Sequence, residues 1–236
     1  MADVEDVMWY RRALHRNVCS AVATVAPAGA AVLDAGCGTG GLLRALRMAR
    51  RDWRLAGLDA SPLACELTRE RTGALVLAGS VERMPFGTGT FAVVTSCDVL
   101  CQVDDPGRAL AELRRVVRPG GALVLTMPAC PWMSSADDRQ VGKLRRSTRG
   151  ELADLLRAAG WRPQVLTYWN LLPLPLAVVR RQVLPAAGDG SDVRLYPPWV
   201  EGTFDAMMKL EHRWISAGHT LPCGSSLLAV ARAAQT

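Results

Sequence analysis

The sequence predicts an α/β protein built on a doubly wound sheet, and three observations point there. Short apolar runs alternate with stretches of helical periodicity from about residue 30 to residue 168. A glycine-rich turn joins the first of these runs to the helix after it. The chain's 236 residues are enough for one full core and need no second domain. Strand–helix alternation means parallel strands joined by crossovers of one hand.

The elements follow in order. From residue 4 to 26, Val7, Leu14, Val18, Val22 and Val25 recur at close to helical spacing, and Pro27 with Gly29 ends the run, so an N-terminal helix is expected. Ala31 to Asp34 reads as a first strand, and Leu42 to Ala49 as the helix behind its glycine turn. Arg54 to Leu58 makes a second strand ending at Asp59, followed by a helix from Pro62 to Arg71 and a third strand from Ala74 to Leu77. Phe91 to Ser96 is the fourth strand and Pro106 to Val117 the next helix. The turn Arg118-Pro119-Gly120-Gly121 leads into a fifth strand, Ala122 to Met127. A helix from Thr148 to Ala159, closed by Gly160, precedes a strand near Pro163 to Tyr168, and Ser226 to Ala231 reads as a terminal strand. The long connection before it must hold structure of its own. Helix-like stretches at Leu176 to Val183 and Trp199 to Ile215 make it a cap over the sheet. The expected division is an N-terminal helical cap (1–29), a core (30–168), a cap insertion (169–224) and the last strand (225–236) within one domain.

Composition narrows the function classes. With 50% hydrophobic and 21% charged residues the chain is an ordinary globular one. The net charge of +6 comes mostly from arginines in Arg44 to Arg54, Arg114 to Arg118 and Lys143 to Arg149. These read as solvated helix faces rather than a nucleic-acid groove, because no Phe or Tyr is interleaved with them for bases to stack on. The acidic start MADVEDVMWYRR is unlike a secretory leader, which places the protein in the cytoplasm. Seven cysteines without framework spacing then read as reduced thiols, and no CxxC or neighbouring histidine completes a metal set. No apolar run reaches 18 residues, so no membrane span is expected, while contact with a membrane surface or an apolar substrate stays open.

The chemistry centres on VLDAGCGTGG. Gly36, Gly38 and Gly41 fit a GxGxxG pattern, and Asp34, Gly36, Gly38 and Gly40 fit DxGxGxG. The first would suit a dinucleotide, but Asp34 would lie beside its pyrophosphate and repel it. A cationic ligand without phosphate would be attracted instead. S-adenosylmethionine is such a ligand, with an ammonium, a sulfonium and two ribose hydroxyls, and Asp59 at the end of the second strand is placed to accept from those hydroxyls.

With VLDAGCGTGG, then GLDAS, GSVERMPFGTGTFAVVTS and VVRPGGALVLTMP in order, the chain resembles the class I S-adenosylmethionine-dependent methyltransferases, in the broad group typified by ubiquinone and menaquinone biosynthesis enzymes. The resemblance is strong over about residues 30 to 130. It implies a Rossmann-like seven-stranded sheet with the last strand antiparallel, S-adenosylmethionine as cofactor and S-adenosylhomocysteine as product. It also implies a cofactor site of Asp34, Gly36, Cys37, Gly38, Gly40, Asp59, Ala60, Ser80, Val81 and Cys97. The chain departs from the family in three places. Ser80 stands where an Asp usually receives the adenine amino group, leaving the Val81 backbone or Glu82 to serve; Gln102 stands where LEHVDDP-like relatives have His; and Asp137 and Lys143 stand where two further histidines are common.

The remaining candidates each have two readings. His15, on the N-terminal helix, is a catalytic base or a structural histidine; Tyr10 and Trp9 contact substrate or simply pack. Asp98, after the fourth strand, recognises a cationic substrate or accepts a proton, or else caps the next helix. Asp137 and Asp138 are active-site groups or a solvated turn; Trp132, the tryptophans of the late insertion and the Leu171 to Leu176 run line an apolar substrate pocket, or else form ordinary lid core or a dimer contact. Cys37 and Cys97 are not nucleophiles, since nothing basic stands near in sequence. The leading function is methyl transfer to a small molecule in secondary, cofactor or lipid metabolism. The second is a repurposed enzyme of the same fold that catalyses cyclisation without methyl transfer, and the third is a scaffold subunit of a heteromer. A homodimer or a heteromer is compatible with all three.

Overall fold

The computed structural model describes residues 8–134, 145–176, 178 and 196–234. Helix α1 spans Trp9–Val25, followed by β1 (Ala31–Ala35), α2 (Gly41–Ala49), β2 (Arg54–Asp59), α3 (Pro62–Thr72), β3 (Leu75–Ala78), β4 (Phe91–Cys97), α4 (Pro106–Val116) and β5 (Val117–Pro128). Then come α5 (Arg149–Ala158), β6 (Trp161–Trp169), α6 (Pro198–Ser216) and β7 (Ser226–Ala233). The expected helix at Leu176 to Val183 lies largely outside the described residues, as does the start of the N-terminal helix before residue 8.

The seven strands form one sheet in the order β3-β2-β1-β4-β5-β7-β6. β1 to β5 pair in parallel, and β7 runs antiparallel between β5 and β6. Strand order reverses between β1 and β4, the switch point where open sheets bind ligands beyond the carboxyl ends of their strands.

Side chains alternate across the sheet and build a core on each face. Leu33, Val94, Leu123 and Ala229 meet α4 and α5 through Leu110, Leu113, Leu152 and Leu156. One residue away, Val32, Val93, Val124 and Val230 meet α1 and α2 through Leu14, Val18, Leu43 and Leu46. On that second face α6 packs beside α1, adding Met208. At the start of α5, Thr148 and Glu151 form a reciprocal capping box.

Two expectations need correction. The stretch Arg118 to Gly121 is not a turn ahead of the fifth strand: Val117 is fully buried and already pairs with Phe91, and the ladder is then interrupted before Val93. Gly120, at φ 71°, absorbs that irregularity as a bulge inside β5. The arginines are also less solvated than expected. Those from Arg44 to Arg54 are exposed. Arg115, however, pairs with Glu112 at 2.7 Å and donates to the carbonyls of Met84 and Phe86. Arg145 and Arg146 donate to the carbonyls of Val103 and Ala129 at 2.7 and 2.9 Å. A guanidinium carries five donors, so it satisfies loop carbonyls that no ladder reaches. No helix among the described residues is long and apolar enough to cross a membrane.

Candidate active site

The turn between β1 and α2 is shaped by its glycines. Gly36, Gly38 and Gly40 all have positive φ, at 91°, 52° and 85°. A Cβ at Gly36 would collide with the side chain of Val99, and one at Gly40 would stand 2.9 Å from Thr68. Nothing lies within 4 Å of a Cβ built on Gly38, so the space in front of it is open. Gly40 is therefore buried for packing against α3, and its place in the expected cofactor set is indirect: it shapes the turn.

Neighbouring elements pin this turn. Gly36 and Cys37 donate their N–H groups to the Leu58 carbonyl at 2.7 and 2.9 Å. From α3, Thr68 Oγ1 donates to the Gly38 carbonyl at 2.7 Å and Arg71 to the Thr39 carbonyl at 2.7 Å. Asp59 accepts from Gly38 N at 2.8 Å and from Ser61 N at 2.9 Å. A carboxylate has about four acceptor positions, so the half-buried Asp59 retains capacity for a diol. Ala60 beside it is exposed. Asp34, at the end of the adjacent strand, is buried and accepts from Thr95 Oγ1 at 2.8 Å.

At the carboxyl end of β4, Asp98 is buried at φ 56°, a strained conformation for a residue with a side chain. Its carboxylate accepts from Tyr10 Oη and from Thr126 Oγ1, both at 3.1 Å. The Tyr10 hydroxyl also lies 3.4 Å from Ser226 Oγ, and its ring stacks on Trp169 at 5.2 Å. Burial, and then the Asp98 charge, push the Tyr10 phenol well above its ordinary pKa, so it is a neutral donor. Asp98 does not cap the next helix: that task falls to Asp105, which accepts from Arg108 N.

Helix α1 looks down on this edge. The Arg11 charge acts on Tyr10 and Cys97, and the Asp34 charge acts on Cys19. His15 lies midway between Arg11 and Cys19 at four-residue spacing and is half-buried. Burial and then Asp34 raise the Cys19 thiol to about 12, and raise those of Cys37 and Cys97 well above the ordinary value, so these thiols stay protonated.

Other candidates fall elsewhere. Ser80 is exposed and accepts from Glu82 N at 3.1 Å, while Val81 is buried beside it. The Glu82 carboxylate accepts from Asp105 N at 2.9 Å, committing it to the start of α4 rather than to replacing an adenine-binding Asp. Gln102 donates to the Asp98 carbonyl at 2.7 Å, which holds the loop in shape. Trp132 is exposed on a single turn at Pro131–Met133 and lines no enclosed pocket among the described residues. Asp137, Asp138 and Lys143 lie outside the described residues. Sequence reasoning missed Thr68, Thr95, Thr126, Trp169 and Ser226; the one available signal, a hydroxyl near the carboxyl end of an apolar strand, reaches Thr95 and Thr126 alone.

A sheet with this order, a reversed last strand and acidic strand ends around a glycine turn defines the class I methyltransferase type of α/β domain. A family model described as "Methyltransferase domain" matches residues 33–125, the glycine turn and the parallel strands on either side of it. The malonyl-[acyl-carrier protein] O-methyltransferase of Pseudescherichia vulneris is 32% identical over 155 residues, covering 63% of this chain and 59% of that one. The chain spans less than two thirds of the length of the curated relatives it matches first. Among solved structures, a chain of the complex between the Haloferax volcanii Trm112 methyltransferase activator and a methyltransferase superposes with a TM-score of 0.65 at 21% identity, covering 95% of this chain and 91% of that one. The [4+2]-cyclase SpnF does so with a TM-score of 0.63 at 19% identity, covering 94% and 82%. At such identities the likeness is of fold alone.

Proposed function

We propose that this protein transfers the methyl group of S-adenosylmethionine to a small molecule, in secondary, cofactor or lipid metabolism. The observation that carries this reading is the pair Asp34 and Asp59. They end adjacent parallel strands on either side of a turn whose Gly38 faces open space. Two carboxylates so placed suit a cationic ligand bearing a diol and would repel a pyrophosphate. Asp59 would hold the ribose hydroxyls, Val81 the adenine edge, and the Gly36–Gly38 backbone with Asp34 the amino-acid end.

When bound, S-adenosylmethionine supplies a methyl group on a sulfonium that leaves readily, with S-adenosylhomocysteine as product. What the chain adds is alignment and exclusion of water, which together can supply about 7–11 kcal/mol. Helix α1 packs on β4 and β5 and reaches the carboxyl end of β4 through Tyr10, and Asp98, fixed by Tyr10 and Thr126, offers a rigid polar group at the acceptor side. An acceptor already nucleophilic as an anion, a carboxylate foremost, needs no base. The Pseudescherichia relative is named for O-methylation of a malonyl group, which supports that choice.

The test is release of S-adenosylhomocysteine from S-adenosylmethionine in the presence of a panel of carboxylic acids and phenols. Release that depends on an acceptor is expected. Ser80, already engaged with Glu82 N, favours a second reading, a cyclisation catalyst that keeps the cofactor as structure. Tight cofactor binding without S-adenosylhomocysteine release from any acceptor would favour that reading over methyl transfer.

A further inference from the structure

Helix α6 sorts its charges by face. All three of its acids are buried: Glu201 accepts from Trp9 N at 2.7 Å, Asp205 pairs with Arg16 at 3.3 Å, and Glu211 accepts from the N–H groups of Asn170 and Leu172 at 2.7 and 2.6 Å. The outward face carries Trp199, Leu210 and Trp214, exposed by 75%, 62% and 52%, with Lys209 and Arg213 exposed beside them. Positions 199, 206, 210 and 213–214 follow one another at seven-, four- and three-to-four-residue steps, so they form one stripe. After β6, Leu172 and Leu176 are exposed too, and a cavity of about 420 Å³ opens between Leu171, Leu172, Leu210, Trp214 and Leu221. An exposed apolar stripe with two tryptophans, a cationic flank and, among the described residues, no exposed carboxylate on it suits a bilayer headgroup region, where indole rings and basic side chains both settle.

We propose that the outward face of α6 docks on a lipid bilayer surface carrying anionic headgroups. Trp199, Leu210 and Trp214 enter the interface, and Lys209 and Arg213 meet the headgroup phosphates. Lys209 bonds to Asp205 at 2.8 Å, yet its side chain stays 59% exposed, so the ammonium lies at the surface. The chain's net charge of +6 adds long-range attraction to such a membrane. A second copy of the chain fits this face less well. A twofold contact would bring Lys209 and Arg213 of both copies together with no acid on the stripe to neutralise them. The inference stands apart from methyl transfer and does not rest on it.

The experiment is co-sedimentation of the full chain with vesicles of phosphatidylglycerol and phosphatidylcholine, against phosphatidylcholine alone, at low and high salt. Sedimentation with the anionic vesicles is expected, weakened by salt, and about tenfold weaker for the double variant Leu210→Glu/Trp214→Glu. Circular dichroism and S-adenosylmethionine titration of that variant should match the wild type, separating a failed membrane contact from a failed cofactor site. Arg213→Glu, a single exposed change, should also weaken binding if the double variant does not fold. Failure of the wild type to sediment with anionic vesicles, or equal sedimentation by the variants, would overturn the proposal. So would a dimer that the double variant dissociates while vesicles bind neither protein.

Discussion

Tyr10 is the residue through which the N-terminal helix grips the sheet: its hydroxyl reaches Asp98 and its ring lies on Trp169. A hydrogen bond to a charged group contributes roughly 1.5–3 kcal/mol, and in a chain of this size each kcal/mol moves the melting temperature by about 2–4 °C. Tyr10→Phe should therefore melt several degrees lower while keeping its affinity for S-adenosylmethionine, as thermal denaturation and titration would report. An unchanged melting temperature would mean that Tyr10 and Asp98 do not hold each other. Asp34 and Asp59 were legible in the sequence because the glycine spacing fixes where the chain turns, and each acid sits at a strand end. Thr95, Thr126 and Ser226 were not. A hydroxyl inside an apolar run reads as a tolerated polar residue, and their partners lie 61, 28 and 216 positions away. The bonds of Gln102 to the Asp98 carbonyl and of Glu82 to Asp105 N were hidden for the same reason, since loop geometry makes them.

At the scale of elements, period-two and period-3.6 patterns located strands and helices because burial on one or two faces dictates them. Where the chain does something local, pattern fails. The Pro-Gly-Gly of β5 carries turn chemistry, yet burial of Val117 starts the strand before it, and a bulge absorbs the conflict. β6 begins two residues earlier than its apolar pattern, because Trp161 is buried and donates to the Leu110 carbonyl at 3.1 Å. The Arg114 to Arg118 cluster looked solvated because charge alone is visible in sequence, whereas a guanidinium is also a fork of donors for loop carbonyls. The pairing of α1 with α6 was equally hidden. Its contacts include Arg16 with Asp205 and Asn17 with His212, polar partners that no hydrophobic period announces.

For the whole molecule, that pairing joins helices far apart in sequence, and its stability is expected to depend on pH. His212 Nδ1 lies 2.8 Å from Asn17 Oδ1, and burial, then the Arg16 charge, hold its pKa below the ordinary 6.5. The unfolded chain takes up a proton below about pH 6.5 and the folded one resists it, so stability is lost as pH falls through that window. The melting temperature should drop between about pH 7 and about pH 5, and the drop should be shallower in His212→Gln; identical slopes would remove His212 from the account. The activity turns on binding of S-adenosylmethionine. Calorimetric titration with S-adenosylmethionine and S-adenosylhomocysteine, on the wild type and Asp59→Ala, tests it most directly. Micromolar binding by the wild type, weakened about ten- to a hundredfold by loss of charge-assisted bonds to the ribose in the variant, is the predicted result. No binding of either ligand by the folded wild type, or equal binding by the variant, would contradict it.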